Sequence, residues 1–329
     1  MVRIGVSFDG FSPLRESIAF AKEAEKAGAA SLWMAEHLGY REAILSAMAC
    51  AAATERAMVY PTAVSPYLRH PMAVAMAMAT LAEAAPGRAG IAVGVGNPLF
   101  LQESGILPEK PLRAVREYVE CLKALWTGEP VRSDGGTFRL AGARMAFRPP
   151  APVPVYLAPI RERMLRLAGR AADGVVLSSG ITVEYTARSL AHVAEGAREA
   201  GRDPASVQPA SYLMTSVSRE KKTAYEAVRT KLAFLLRNKY LEENVRASRI
   251  TFDQEAIIRA VARRDLEEAS RLVPDEAIEA FTASGAPRDC LDRMEAYRKA
   301  GLEELVLVMT GAPEDRKLAL TLIKEFGGP

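Results

Sequence analysis

Short apolar runs alternate with longer amphipathic segments along almost the whole chain. The short runs are near-continuous Val, Ile, Leu, Met and Ala, which is typical of parallel strands covered on both faces. Strands that alternate with helices in this way indicate βα units and a parallel sheet. The pattern predicts eight strands, at residues 4–8, 31–34, 58–61, 89–93, 155–157, 174–177, 210–217 and 304–309.

Two regions interrupt this alternation. Residues 129–154 contain Asp134-Gly135-Gly136 between short polar and apolar runs, which predicts a hairpin and loop inserted before the fifth strand. Residues 219–287 are charge-rich with helical spacing, which predicts a helical insertion after the seventh strand. Neither region resembles an independent domain. We therefore expect an α/β fold in which residues 1–329 form one (β/α)8 barrel domain with two insertions.

Composition narrows the classes of function. The chain has 329 residues, 49% of them hydrophobic, and a net charge of +3 from 43 basic and 40 acidic side chains. This near balance gives no electrostatic footprint for nucleic acid or an anionic membrane. The N-terminal residues form a strand pattern rather than a signal peptide, and no apolar run reaches the roughly 18 residues of a spanning helix. We therefore expect a cytoplasmic protein with a small-molecule substrate.

The three cysteines carry no sign of a metal site. Cys50, Cys121 and Cys290 are far apart in sequence and form no CxxC pair. Cys50 and Cys121 lie in apolar helical patterns, which predict buried thiols in a reducing compartment. We expect no zinc or other metal.

The third predicted strand ends in an unusual way. Tyr60-Pro61-Thr62-Ala63-Val64-Ser65-Pro66 places two prolines five residues apart, which prevents regular pairing through the segment. One interpretation is a rigid loop, and the other is a bulge against a ligand with a non-prolyl cis peptide. In a barrel of parallel strands the chemistry lies at the C-terminal ends of the strands. This strand end is therefore a candidate active site.

A glycine-rich turn, Gly94-Val95-Gly96-Asn97, follows the fourth predicted strand. The glycines either permit a tight strand-to-helix turn or leave bare backbone that a flat ring can approach. In the second interpretation Asn97 offers a donor and an acceptor at the ring edge. A Rossmann phosphate loop fits poorly, because Leu99 replaces its third glycine and Pro98 lies inside the turn.

Glu36 and His37 come directly after the second predicted strand. His37 is the one histidine of the three that stands at a strand end next to an acid, whereas His70 and His192 lie near or within helices. Histidine titrates near neutral pH, which suits proton transfer. The pair is a candidate for catalysis or cofactor contact, with an ordinary structural role as the alternative.

Two predicted helix starts can hold a phosphate group, because helix N-termini offer free N–H groups and a positive dipole end. The segment Ala158-Pro159-Ile160-Arg161-Glu162-Arg163 follows the fifth strand, and Ser178-Ser179-Gly180 follows the sixth. A solvated surface position is the alternative for each arginine.

Four segments together resemble the bacterial luciferase-like superfamily, and within it the F420-dependent methylenetetrahydromethanopterin reductases. They are residues 33–37, 65–71, 87–97 and 283–290. They run from the second strand almost to the last, so the resemblance covers essentially the whole chain.

The resemblance implies a TIM-like barrel with coenzyme F420, a deazaflavin, at the C-terminal mouth. It implies a non-prolyl cis peptide at Thr62-Ala63 and the family's acid–histidine pair at Glu36-His37. The ring would also lie near Ser7 and Asn97, where the reductases tend to carry carboxylates. These two departures bear on the pterin substrate more than on the cofactor. Relatives of this kind are commonly homodimers or homotetramers.

The leading hypothesis is therefore hydride transfer between coenzyme F420 and an electrophilic C=N or C=C carbon. Glu36 and His37 would polarise the reactants and manage a proton, and the insertion after strand seven would cover the pocket. An FMN-dependent monooxygenase and a non-catalytic flavin-binding relative are the alternatives. The expected cofactor contacts are Ser7, Thr62, Ala63, Gly96, Asn97, Ala158, Pro159, Arg161, Arg163, Ser178 and Ser179.

Overall fold

The computed structural model of the chain describes residues 2–327. Parallel strands alternate with helices as predicted, and every predicted strand is present with its ends shifted by no more than two residues. The strands are β1 Arg3–Phe8, β2 Ser31–Ala35, β3 Met58–Thr62, β4 Ile91–Val93, β5 Val131–Ser133, β6 Leu140–Ala143, β7 Val155–Leu157, β8 Gly174–Leu177, β9 Gln208–Val217, β10 Ala283–Gly285 and β11 Glu304–Thr310. The α/β class with a (β/α)8 TIM barrel is confirmed, with its eight barrel strands at β1–β4, β7–β9 and β11.

The helices fill the intervals between the strands. Several begin with proline at the first helical position, where its missing N–H costs nothing, as at Pro71 and Pro111. The helices are α1 Leu14–Lys26, α2 Ala43–Ala51, α3 Pro71–Ala84, α4 Pro98–Glu103, α5 Pro111–Leu125, α6 Glu162–Ala171, α7 Val183–Glu199, α8 Lys221–Leu236, α9 Glu242–Ser248, α10 Gln254–Ala262, α11 Leu266–Arg271, α12 Asp275–Phe281, α13 Pro287–Lys299 and α14 Pro313–Gly327. Within residues 2–327, none of them has the length and apolarity needed to span a membrane.

The chain folds into two compact units. The first unit contains residues 2–6, 177–191 and 209–327, and the second contains residues 7–176 and 192–208. In the first unit β11 pairs in parallel with residues 3–6 of β1 and with β9. The expectation of a single domain over residues 1–329 stays a prediction.

The insertion predicted at residues 219–287 is helical over most of its length, from α8 to α12. Its buried face is apolar, and Val228, Leu232, Ile257 and Phe281 pack in one cluster. The predicted boundary is wrong at its end, because residues 283–285 form β10, which pairs in parallel with β9. Three residues of Ala, Ser and Gly carry little strand propensity, so tertiary pairing decides their conformation.

In the second unit β3 pairs with β2, β4 pairs with β7, and β7 pairs with β8, all in parallel. Aromatic rings fill the core between these strands. The indole of Trp33 stacks on the ring of Tyr60 with centroids 4.1 Å apart, and Tyr156 meets both rings edge-on. The strand predicted at residues 89–93 is shorter than expected, because Ala89 makes only an isolated bridge to Val59.

The hairpin predicted within residues 129–154 is present as the antiparallel pair β5 and β6. The buried carboxylate of Glu117 on α5 holds it in place by accepting from the Thr137 amide at 2.8 Å and from Arg113 Nε at 2.6 Å. Burial alone raises the pKa of Glu117, but the hydrogen bonds from Arg113 and Thr137 outweigh burial and lower that pKa to about 2.

All three cysteines are free and buried, as predicted for Cys50 and Cys121. Burial raises the pKa of the Cys50 and Cys290 thiols to about 12. Such thiols are protonated at neutral pH and therefore react slowly.

Candidate active site

The end of β3 is the centre of the candidate site. The peptide bond between Thr62 and Ala63 is cis, which confirms the non-prolyl cis peptide expected there. The Thr62 carbonyl accepts a hydrogen bond from the Glu36 amide at 2.6 Å. Val64 donates to Ala92 at 2.8 Å and accepts from Gly94 at 3.2 Å, so the segment after the cis bond is joined to the end of β4.

Small side chains meet where β3, β4 and β7 end. A Cβ atom placed on Gly94 would lie 2.9 Å from the Ala63 Cβ and 3.3 Å from the Ala158 Cβ. Contacts near 3 Å are shorter than packed carbon atoms tolerate, so Gly94 cannot be replaced without movement of its neighbours. The sequence therefore places three small residues side by side at one end of the sheet.

Glu36 forms a bidentate ion pair with Arg69, a residue of the loop between β3 and α3. Arg69 Nη1 donates to Glu36 Oε2 at 2.8 Å and Arg69 Nη2 donates to Glu36 Oε1 at 2.5 Å. Arg69 Nη2 also donates to Glu42 Oε1 at 2.7 Å, and Glu42 Oε2 accepts from the Leu45 amide at the start of α2. One guanidinium thus joins the end of β2, the start of α2 and the loop after β3.

This ion pair is largely removed from water. The Glu36 side chain is 6% exposed and the Arg69 side chain is 23% exposed. Burial alone lowers the pKa of Arg69, but the hydrogen bond and charge of Glu36, with the charge of Glu42, raise that pKa above its ordinary value. Arg69 is therefore permanently charged, and both oxygens of Glu36 are occupied.

His37 Nδ1 lies 2.8 Å from the carbonyl oxygen of Asp9. A carbonyl oxygen only accepts hydrogen bonds, so Nδ1 must carry a proton. In the neutral ring the lone pair is then on Nε2, which can accept or return a proton. The imidazole also lies between the rings of Phe11 and Phe100, at centroid distances of 5.2 and 5.6 Å.

An open recess adjoins these groups. Glu36, Ala63, Gly96, Asn97 and Phe100 line it, and it holds about 230 Å³ of empty space including its open side. Asn97 Oδ1 accepts from the Leu99 amide at 3.0 Å and so caps α4, while its amide nitrogen keeps two N–H donors. The recess brings together four of the residues predicted from sequence.

The other predicted residues of the second unit are more dispersed. Pro159 is buried directly after β7 and Ala158, whereas Arg161 and Arg163 are exposed at the start of α6. Ser7 is half-buried on β1.

Ser178 and Ser179 belong to the first unit, in the loop between β8 and α7. Asn244 of α9, fully buried, holds this loop: its Oδ1 accepts from the Thr182 amide at 2.9 Å and its Nδ2 donates to the Gly180 carbonyl at 2.9 Å. Ser179 Oγ is buried and has no hydrogen-bond partner among the residues described. Buried hydroxyls are normally satisfied, so the Ser179 hydroxyl departs from the usual pattern.

Two features of the site were not expected from sequence. Arg69 lies within one of the segments that carry the family resemblance, yet its pairing with Glu36 was not predicted. A lone arginine in a Pro-rich apolar loop needs a nearby carboxylate, and that signal was available. The packing of the Phe11 and Phe100 rings against His37 was not indicated by any sequence pattern. Among residues 2–327, no group of three or more His, Cys, Asp and Glu side chains is placed to hold a metal ion.

Comparison with known proteins identifies the family. The sequence model of the luciferase-like monooxygenases matches residues 3–304. The chain belongs to this family. The resemblance expected from the four sequence segments is therefore confirmed.

Individual members of the family match over most of the chain. The 5,10-methylenetetrahydromethanopterin reductase of Archaeoglobus fulgidus is 28% identical over 334 residues, which cover 99% of this chain and 98% of that protein. The F420-dependent glucose-6-phosphate dehydrogenase of Beutenbergia cavernae is 36% identical over 244 residues, which cover 70% of this chain and 72% of that protein.

A solved structure of the family agrees with the fold. The coenzyme F420 dependent tetrahydromethanopterin reductase of Methanopyrus kandleri has a TM-score of 0.88 at 26% identity, over 98% of this chain and 97% of that one. Two of these relatives are named reductases and one is named a dehydrogenase. Two of the three names specify coenzyme F420.

Proposed function

We propose that this protein is an F420-dependent oxidoreductase that transfers a hydride between coenzyme F420 and a small organic substrate, as a methylenetetrahydromethanopterin reductase does. The observation that carries the proposal is the position of His37. Its Nδ1 is fixed by the Asp9 carbonyl, its Nε2 is left to exchange a proton, and its ring contacts Phe100 at the edge of the recess.

The strand ends suit a flat ring. Ala63, Gly94 and Ala158 present backbone and methyl groups only, and Gly94 has no room for a side chain. A planar heterocycle can approach such a surface closely, and Asn97 can donate to its polar edge. We assign Thr62, Ala63, Gly96 and Asn97 to the cofactor ring, with Ser7 and the Glu36-His37 pair beside it.

Coenzyme F420 is larger than its ring and carries anionic groups. In the second unit Ala158, Pro159, Arg161 and Arg163 precede or open α6, and we propose that they contact the coenzyme there. In the first unit the unpaired Ser179 Oγ fits an anionic oxygen, and we propose Ser178 and Ser179 as further contacts.

When bound, the coenzyme supplies the carbon that gives or receives the hydride. In the oxidising direction the coenzyme would take up the hydride, the hydrogen with its electron pair, that the substrate carbon loses. The O–H or N–H proton of the substrate goes to His37 Nε2, and a C=O or C=N bond forms. In the reducing direction His37 returns that proton.

Glu36 has a different part in this scheme. Both of its oxygens accept from Arg69, so a proton would have to displace a buried ion pair. We therefore assign Glu36 a fixed negative charge that polarises the reactants, next to His37 in sequence, and assign the moving proton to His37.

The family name favours one other function, an FMN-dependent monooxygenase. FMN activates oxygen, whereas a deazaflavin does so poorly, and this separates the two functions. The purified protein would be titrated with F420 and with FMN, followed by coenzyme fluorescence and oxygen uptake. We expect F420 to bind and FMN to bind more weakly. Tight FMN binding with oxygen uptake, and no F420 binding, would falsify the proposal.

A second experiment tests the proton role. His37→Gln removes the imidazole to which we assign the proton, so we expect the rate of hydride transfer to fall about a hundredfold to ten-thousandfold while the Kd for F420 changes little. His192→Gln is the matched control, because His192 lies on α7 outside the recess. If both variants keep full turnover, His37 has no catalytic role. F420 binding without turnover of any acceptor would instead mark a non-catalytic relative.

We also propose a homodimer or homotetramer. Leu45 on α2 is 70% exposed and Met76 on α3 is 49% exposed, so a subunit contact through these two helices would cover both side chains. Sedimentation of the protein with and without Leu45→Glu tests this, and an unchanged mass would count against these helices as the contact.

A further inference from the structure

Four rings form a closed set of contacts around the proposed proton-transfer residue. Phe11 follows β1, His37 and Tyr40 follow β2, and Phe100 lies on α4. The centroid distances are 4.4 Å for Phe11–Tyr40 and 6.3 Å for Tyr40–Phe100. With the two contacts of His37, each ring therefore touches two others. We call these four residues the aromatic cluster.

Part of the aromatic cluster is open to solvent. Phe11 is 45% exposed and Tyr40 is 51% exposed. A single exposed apolar side chain is ordinary, but two aromatic rings in contact form a surface that gains by being covered. The geometry of the pair, with rings inclined by 49°, leaves ring faces and edges available to a third ring.

The exposed rings are also held in place. Arg41, the neighbour of Tyr40, donates through Nη1 to the carbonyl oxygens of Phe11 at 2.8 Å and Gly10 at 3.2 Å. The two loops that carry Phe11 and Tyr40 are thus joined by one guanidinium. A surface that is ordered before binding loses less entropy when a ligand arrives.

The charges near the aromatic cluster do not favour an anionic substrate. Loops 9–13 and 36–42 with Arg69 contain three carboxylates, Asp9, Glu36 and Glu42, against the two guanidiniums of Arg41 and Arg69. Arg41 is bound to backbone carbonyls and Arg69 to Glu36 and Glu42. A phosphate would therefore meet a net negative charge with both cations already engaged.

We propose that the substrate is an uncharged molecule with an aromatic or other flat ring next to the carbon that exchanges the hydride. The ring binds against Phe11 and Tyr40, and the reacting group lies at His37 Nε2. This inference rests on the proposed function for its hydride chemistry and adds the class of molecule. It places the chain apart from relatives that oxidise a sugar phosphate.

The test compares two probes of the same carbon skeleton, one flat and aromatic and the other saturated. Naphthol and its fully saturated analogue decahydronaphthol have the same carbon skeleton and one hydroxyl each. Binding to the F420-loaded protein, and to the protein without added coenzyme, is measured by calorimetry, with glucose 6-phosphate as a third ligand. We expect naphthol to bind about tenfold more tightly than decahydronaphthol, because two aromatic contacts are gained, and glucose 6-phosphate to bind most weakly.

Variants locate the site of binding. Phe11→Leu and Tyr40→Leu keep apolar bulk but remove the rings, so each is expected to abolish most of the preference for naphthol while leaving F420 affinity unchanged. Phe147→Leu is the matched control, because Phe147 is a partly exposed phenylalanine of the second unit outside the aromatic cluster. Its preference for naphthol is expected to match that of the unmodified protein.

Four results would overturn the inference. They are equal affinity for the two alcohols, a preference that survives both ring deletions, tighter binding of glucose 6-phosphate, and displacement of F420 by naphthol. The last result would assign the aromatic cluster to the coenzyme. Failure of F420 to bind at all would reject the proposed function instead, and the measurements without coenzyme would still decide where flat rings bind.

Discussion

The loop that carries His37 and the loop that carries Ser179 both follow a parallel strand. They differ in whether their polar side-chain atoms have hydrogen-bond partners. In the His37 loop the Glu36 carboxylate, the imidazole Nδ1 and the Glu42 carboxylate all have partners within the second unit. In the loop of the first unit, Asn244 satisfies the backbone, but the Ser179 hydroxyl is buried without a partner among the residues described.

The difference separates two tasks. A group that moves a proton must keep its orientation before the substrate arrives, so its neighbours are satisfied in advance. A group that only binds a ligand oxygen can lack a hydrogen-bond partner until the ligand binds. The unpaired group then lowers the stability of the ligand-free protein. The comparison predicts that mutations in the His37 loop destabilise the fold, whereas mutation of the Ser179 hydroxyl weakens ligand binding.

The largest expected effect comes from Arg69→Met. It leaves the buried Glu36 carboxylate without its partner, which should lower the free energy of unfolding by about 3–5 kcal/mol. Denaturant unfolding measures this loss. Arg116→Met is the matched control, since its i,i+4 pair with Glu120 is exposed on both sides and should matter by less than about 1 kcal/mol. Equal losses in the two variants would mean that the Glu36 ion pair is not a special feature of the His37 loop.

Asn244→Leu should have the next largest effect. The leucine leaves the Thr182 amide and the Gly180 carbonyl unpaired in a buried position, and a loss of about 2–4 kcal/mol follows. Asn238→Leu removes only one hydrogen bond, from the Tyr240 amide, and should cost about 1 kcal/mol. If Asn244→Leu left both stability and F420 affinity unchanged, the loop of Ser179 would not depend on Asn244. The contrast between the two loops would then fail.

Two serines give the closest matched pair. Ser65 Oγ donates to the Val95 carbonyl at 2.7 Å and accepts from the Tyr67 amide at 3.2 Å, so Ser65→Ala should destabilise the protein by about 1 kcal/mol. Ser179→Ala removes an unpaired hydroxyl, so the ligand-free protein should be unchanged or slightly more stable, while its affinity for F420 falls. Thermal unfolding with and without F420 separates the two effects. A clear loss of ligand-free stability in Ser179→Ala would show that its hydroxyl is already satisfied.

The last prediction concerns acid sensitivity in the second unit. The pKa of Glu117 is lowered to about 2 in the folded chain, from an ordinary value of 4.5. A carboxyl with a lowered pKa stabilises the fold above its unfolded value, and this contribution is lost as pH falls from about 4.5 towards 2. The protection factor of the Thr137 amide, its intrinsic exchange rate divided by the observed rate at the same pH, should therefore fall in that range. In Glu117→Gln the protection factor should be low and independent of pH there, and an identical profile in both proteins would contradict the assignment.

The sequence was sufficient for the framework and for part of the site. Near-continuous apolar runs identified all eight barrel strands, because parallel strands are buried on both faces. Family resemblance located the cis bond at Thr62-Ala63, and strand ends located Glu36 and His37. The short β10 was missed, because Ala283-Ser284-Gly285 takes its conformation from pairing with β9 rather than from propensity.

What could not be predicted depends on contacts between distant residues. Arg69 and Glu36 are 33 positions apart, and their pairing depends on how two loops approach each other. Phe11, Tyr40 and Phe100 carry no periodic signal, since each belongs to a different connection. Whether the Ser179 hydroxyl is satisfied is a property of packing alone, and no pattern of residue types records it.

The buried thiols make this chain convenient for site-specific labelling. Cys50, Cys121 and Cys290 are all buried, and the two with the most strongly raised pKa values are protonated far above neutral pH. A single cysteine introduced at Leu107, which is 78% exposed, would therefore be the one fast-reacting sulfur for a maleimide dye. A fluorophore can then be attached at that position without removal of any native cysteine.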